Sequence, residues 1–138
     1  MNKNLLLDTH IWLWLVIGDK TLKNSAVTII KKAAQQHAIY ISAISMWEVA
    51  MLEFSGRIAL GCSTSEWIHR ALSAPGLSLA ALSPEIVVDS VNLPDKFHKD
   101  PADRIIVATA RKMNLTLMTR DERILKYSKQ GFLNTIKG

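Results

Sequence analysis

The chain has 138 residues, of which 49% are hydrophobic and 21% charged. That balance suits one folded domain spanning residues 1–138 and excludes a disordered or low-complexity chain. Seventeen Lys and Arg against twelve Asp and Glu leave a net charge of +5, and a single cysteine, Cys62, excludes an intrachain disulfide and a thiolate-rich zinc site.

In chain order, Asn4 to Leu7 reads as a short buried strand. Lys3 ahead of Leu5-Leu6-Leu7 loosely resembles the start of a signal peptide, but Asp8 interrupts the run. Thr9 to Ile17 is apolar nearly all round, as in a buried or interface helix, and Ile11 to Ile17 is too short to span a bilayer. The chain is therefore expected to be soluble and cytoplasmic. Asn24 to Gln36 is an amphipathic helix with Lys31 and Lys32 outside. Ala38 to Ser42 is a second strand, and Ser42 or Ser45 can cap a helix running to about Phe54. Gly56 and Gly61 bracket a loop holding no periodic pattern, and Cys62 just beyond is expected as a small core residue. Thr64 to Ala74 is helical and stops at Pro75-Gly76. Leu77 to Leu82 is a third strand, and Pro84 to Val91 a short helix with proline in its first turn. Asp100-Pro101 opens a helix with the body Ile105 to Ala110, Leu115 to Thr119 is a fourth strand, and Asp121 starts a last short helix. Strands alternating with helices imply an α/β fold with a mainly parallel sheet covered on both faces.

Ligands of such sheets bind beyond the carboxyl ends of the strands. Asp8 directly follows the first strand, Glu48 lies in the helix after the second, Asp103 lies in the first turn of the helix before the fourth, and Asp121 follows the fourth by two residues. These four acids can converge at one sheet edge, with Asp100 joining from the outer side. Each also has a purely structural role open to it: Asp8, Asp100 and Asp121 can cap helices, and Ser45-Met46-Trp47-Glu48 matches a capping box. Converging carboxylates repel one another unless a cation relieves them. Oxygen-only ligation suits Mg²⁺ or Mn²⁺ better than Zn²⁺. Such ions activate water and stabilise both oxygens of a phosphodiester displacement, typically as a pair about 4 Å apart. With the four acids set aside, seventeen basic residues face eight acidic ones, a surface that attracts a polyanion.

Four segments carry a family resemblance. Leu5-Leu6-Leu7-Asp8-Thr9-His10, Ser42-Ala43-Ile44-Ser45-Met46-Trp47-Glu48, the run from Asp100 to Ala110, and Leu117-Met118-Thr119-Arg120-Asp121 resemble, in order and spacing, the four motifs of PIN-domain ribonucleases, and with the total length those of VapC-type toxins. The resemblance implies a Rossmann-like PIN fold, a three-layer sandwich with a mainly parallel central sheet flanked by helices. It implies endoribonuclease activity dependent on Mg²⁺ or Mn²⁺, with 5′-phosphate and 3′-hydroxyl products. It also implies a homodimer and inhibition by a VapB-type antitoxin. By motif, Asp8, Glu48, Asp103 and Asp121 form the acidic site, with Asp100 a companion. In the expected mechanism Asp8 and Asp103 are the principal metal ligands, and Glu48 and Asp121 ligate directly or orient metal-bound water.

Among neighbouring residues, Arg104 and Arg120 adjoin site acids and are candidates to hold RNA phosphates, with Arg111 near the same helical face as Arg104. Thr9 and Thr119 are candidates to touch substrate or to hydrogen-bond to the acids beside them. Trp12, Trp14 and Trp47 are core or interface residues. His10, His37, His69 and His98 lack ligand spacing and are expected as surface or core residues. Two rival readings stand beside the nuclease. An aspartyl-phosphate enzyme also places an Asp after its first strand, but many such enzymes need a second acid two residues on, where His10 stands. An inactive PIN-like RNA-binding module is opposed by the complete set of acids.

Overall fold

The computed structural model describes residues 4–138, so Lys3 lies outside the described residues. The centre of the molecule is β1 (Leu5–Leu7), three leucines with no exposed surface. Side chains of a strand alternate between faces, so a strand apolar at every position must be covered on both sides. Leu5 and Leu7 enter one core, with Ile39, Ile41, Trp12 and Trp67, while Leu6 enters another, with Ile106, Leu117 and Ile124.

The remaining strands are β2 (Ile39–Ser42), β3 (Leu77–Ala80), β4 (Thr116–Thr119) and β5 (Thr135–Lys137). The sheet order is β3-β2-β1-β4-β5 and every pairing is parallel. The helices are α1 (Thr9–Ile17), α2 (Asn24–Gln35), α3 (Ala43–Phe54), α4 (Thr64–Leu72), α5 (Pro84–Val91), α6 (Pro101–Lys112) and α7 (Glu122–Ser128). Helices α1, α2 and α4 cover one face and α5, α6 and α7 the other, which makes the expected three layers. Among the described residues, no helix is long and apolar enough to cross a membrane.

Several expected boundaries shift. The third strand ends at Ala80 rather than Leu82, and the fourth helix at Leu72 rather than Ala74. The turn between them needs Gly76, because its φ is +81° and a Cβ there would lie 2.0 Å from the Ala34 carbonyl oxygen. Ser42, not Ser45, caps α3, its Oγ accepting from the Ile44 N–H at 3.2 Å. Strand β5 was absent from the sequence reading. Its three residues are too few to carry a periodic signal and form a strand by pairing Thr135, Ile136 and Lys137 with Leu117, Met118 and Thr119. Cys62 is half-buried against the first core.

Candidate active site

Parallel strands place all their carboxyl ends at one edge, and the helices that follow them begin there. Helices α1, α3 and α7 start directly after β1, β2 and β4. Helix α6 leads back to β4 and brings its own first turn to the same edge. Helix starts favour acids, since free N–H groups and the helix dipole attract negative charge. Asp8 accordingly caps α1 by accepting from the Thr9 N–H at 2.8 Å, Asp100 caps α6 through the Asp103 N–H at 3.1 Å, and Asp121 caps α7 through the Arg123 and Ile124 N–H groups. The capping roles and the site are thus compatible, because the caps share one edge. Asp8, Glu48, Asp100, Asp103 and Asp121 line a single open cleft of about 690 Å³.

Two buried threonines hold the acids in place. Thr119 donates its hydroxyl to Asp8 Oδ2 at 2.6 Å and accepts from the Asp121 N–H at 3.0 Å. Thr9 donates to Glu48 Oε1 at 2.5 Å and lies 2.8 Å from the Ser45 hydroxyl. Both threonines have almost no exposed surface, so they position acids, and the expectation that they touch substrate is corrected. Glu48 likewise does not serve a capping box, since its carboxylate turns to Thr9 across the helix pair.

The carboxylates strain against one another. Burial pushes the Asp103 carboxyl up to about 7, and the charges of Asp8, Asp100, Asp121 and Glu48 push the same way. Burial also raises Asp8, against the hydrogen bonds from Thr119 and Thr9 that lower it. Glu48 is raised by burial and by the charges of Asp8 and Asp100, against the lowering hydrogen bond from Thr9. Asp121 differs: burial raises it, but hydrogen bonds from Arg123 and Ile124 outweigh that and hold it below the usual carboxylate range. Asp103 is the least committed of these acids, as neither of its oxygens accepts a hydrogen bond, whereas both oxygens of Asp8 accept one. Oxygen donors with raised affinity for protons are a fit for a hard divalent cation. Among the described residues no three acidic, His or Cys side chains form a ready-made metal cage; Asp121 faces its own helix and Glu48 faces Thr9.

Arg123, His10 and Arg57, which the sequence did not assign to the site, line this cleft, and His98 lies beside two of its acids. His98 Nδ1 accepts from the Asp100 N–H at 3.3 Å, which leaves its proton on Nε2, 3.2 Å from Asp103 Oδ2 though poorly aligned for a hydrogen bond. Burial, with the neighbouring Arg123 charge, holds this imidazole below its usual range. Arg123 Nη2 lies 3.2 Å from Asp121 Oδ2 and 3.5 Å from Asp103 Oδ2. His10 lines the cleft and sits 5.9 Å from the Trp14 ring. One signal was available for Arg123: a cation in the first turn of a helix opposes the dipole and calls for a reason. His37 and His69 are exposed, as expected.

Arg104 is a correction. Its guanidinium donates to the carbonyls of Ser90, Val91, Phe97 and His98 at 2.8–3.2 Å, so it ties the segment before α6 to the end of α5 and is not among the cleft residues. Arg111 likewise pairs with Asp89 and the Phe132 carbonyl. Arg120 does line the cleft, donating to the Thr21 carbonyl at 2.7 Å with its guanidinium 5.8 Å from the Trp14 ring centre. Arg57, Trp47 and Met51 complete that rim. Trp12 is fully buried, edge-on to Trp67, whereas Trp47 is 57% exposed.

An all-parallel sheet with acids collected at its carboxyl edge defines a class, and the chain belongs to the PIN domain family, whose model matches residues 5–130. It is 32% identical over 119 residues to Ribonuclease VapC22 of Mycobacterium tuberculosis, spanning 86% of this chain and 88% of that protein. The fold is similar to that of VapBC2 from Rickettsia felis bound to a DNA fragment from its promoter (TM-score 0.70, 17% identity, 96% and 97% of the chains). It is also similar to DNA-bound VapBC from Salmonella typhimurium (TM-score 0.67, 12% identity, 99% and 98%).

Proposed function

We propose that this chain is a metal-dependent endoribonuclease, one PIN domain acting in the cytoplasm as the toxin of a toxin–antitoxin pair. The observation that carries this reading is the meeting of Asp8, Glu48, Asp103 and Asp121 in one cleft whose rim is basic and aromatic. Asp8 and Asp103 would hold Mg²⁺ or Mn²⁺, with Glu48, Asp121 and Asp100 around them. When bound, the ion supplies an activated water and charge stabilisation at phosphorus.

The chain's own residues do the rest. Thr119 and Thr9 fix the orientations of Asp8 and Glu48, so that the acids need no reorganisation when RNA arrives. Arg57 and Arg120 attract the backbone phosphates, and Trp47, exposed beside Glu48, offers a face for an unstacked base. In the hydrolysis, water adds across the P–O3′ bond. Its oxygen bonds to phosphorus as the 3′ oxygen leaves, and the proton it loses is made up at the 3′ oxygen through solvent, which leaves a 5′-phosphate and a 3′-hydroxyl.

A VapB-type antitoxin as inhibitor is supported by the 32% identical ribonuclease and by the toxin–antitoxin complexes that share the fold. A homodimer is supported by an apolar stripe on α5, where Val87, Val88 and Val91 are exposed.

The test is cleavage of single-stranded RNA by the purified chain. Cleavage with Mg²⁺ or Mn²⁺, abolished by EDTA and by Asp8→Asn, is expected. Full cleavage by folded Asp8→Asn, or cleavage indifferent to EDTA, would discard the assignment.

A further inference from the structure

We propose that Arg123 is the resident counter-cation of this site, holding carboxylates that a divalent ion takes over and turning, once displaced, to a phosphate of the bound RNA. This rests on the nuclease reading above and extends it to how the ion and the RNA are coupled.

Three observations carry it. First, one guanidinium reaches two acids, Asp121 at the N-cap of its own helix α7 and Asp103 in α6, at 3.2 and 3.5 Å. Those acids belong to the set assigned to the ion, so guanidinium and ion compete for the same oxygens. Second, the side chain is 60% exposed and its hydrogen bond is to Asp121 alone. Arg104 and Arg111, by contrast, are anchored on backbone carbonyls. An exposed ion pair is weak and readily exchanged. Third, Arg123 sits in the first turn of α7, where the helix dipole disfavours a cation. Its position is explained by the acids it faces.

Release has a defined consequence. A guanidinium freed from Asp103 and Asp121 stays in the cleft that Arg57 and Arg120 also line. Its planar fork suits a phosphate as well as it suits a carboxylate. Cation binding therefore raises the affinity for RNA by more than the ion's own charge accounts for.

The test compares Mn²⁺ affinity of the full chain, measured by calorimetry, in wild type, Arg123→Gln, Arg123→Lys and Arg120→Gln, each checked for folding by thermal unfolding. Arg120→Gln removes one charge from the same rim without touching the acids and sets the general electrostatic effect. Arg123→Gln is expected to bind Mn²⁺ about three- to tenfold more tightly than Arg120→Gln, with Arg123→Lys between them. Binding of a labelled single-stranded RNA in Ca²⁺ is expected to weaken about three- to tenfold in Arg123→Gln, with little change in EDTA. Mn²⁺ affinity in both Arg123 variants no higher than in Arg120→Gln, or RNA affinity in Ca²⁺ unchanged in Arg123→Gln, would overturn the proposal while leaving the nuclease reading standing. A wild-type chain that neither binds Mn²⁺ nor cleaves RNA would overturn both.

Discussion

Thr119 and Asp8 stand 111 positions apart in the chain, yet the hydroxyl of one donates to the carboxylate of the other at 2.6 Å. The same oxygen accepts from the Asp121 N–H, so one buried group sets two site acids. Thr119→Val keeps the shape and removes both bonds. Cation affinity or activity is expected to fall about 10- to 100-fold, the usual cost of losing a partner that orients a ligand. Thr119→Ser should recover most of it. Wild-type cation affinity in Thr119→Val would show that Asp8 needs no such support.

The acid cluster makes a prediction about stability. Asp103 binds its proton more tightly in the folded chain, near pH 7, than in the unfolded chain, where its ordinary value is 3.8. For a raised group, the stabilisation is complete below the unfolded value and is lost as pH climbs through the folded one. Without divalent cation, Tm should fall between pH 5 and pH 8. Mg²⁺ should restore it, and by more at pH 8 than at pH 5. Asp103→Asn should flatten the fall, raise metal-free Tm at pH 8 by several degrees, about 1–2 kcal/mol, and abolish cleavage. Scanning calorimetry at the two pH values checks this.

Arg104 should behave as a structural residue. Removing it in Arg104→Ala leaves four carbonyls of the segment from Ser90 to His98 without their common donor. A loss of about 2–3 kcal/mol in chemical denaturation is expected. RNA affinity of the protein that remains folded should stay within about twofold of wild type, because no phosphate contact is lost. A tenfold drop in RNA affinity without a loss of stability would reverse the assignment.

Trp47 should show in the Michaelis constant. Stacking of a base on an aromatic ring is worth about 1–3 kcal/mol. Trp47→Ala is expected to raise KM for single-stranded RNA about tenfold with little change in kcat, since Glu48 is held by Thr9 rather than by its neighbour. A purely catalytic defect would point to a disturbed Glu48 instead.

Much of the site was legible because its acids also obey local rules. An aspartate just before a helix leaves a cap signature, and a parallel α/β sheet gathers such caps at one edge. Asp8, Asp100 and Asp121 could therefore be found without coordinates, and Asp103 by its place in the first turn behind the Asp100 cap. Arg104 was misread because adjacency to Asp103 in sequence is not adjacency in space; successive residues of a helix point about 100° apart, and Arg104 faces α5. His98 and Arg123 were missed for the complementary reason. Their roles arise from side-chain contacts with Asp103 in α6, which adjacency in the chain does not record. Strand β5 was missed because three residues become a strand only by pairing.

The order β3-β2-β1-β4-β5 has a consequence for biosynthesis. The central strand meets one neighbour early, at residues 39–42, and the other only at residues 116–119. A growing polypeptide that has left the ribosome only as far as α5 carries Asp8 and Glu48 but not Asp103, Thr119 or Asp121. Until β4 joins the sheet beside β1, the cleft that Asp8 and Glu48 share with Asp103 and Asp121 cannot assemble, so the acidic cluster is a late product of chain synthesis.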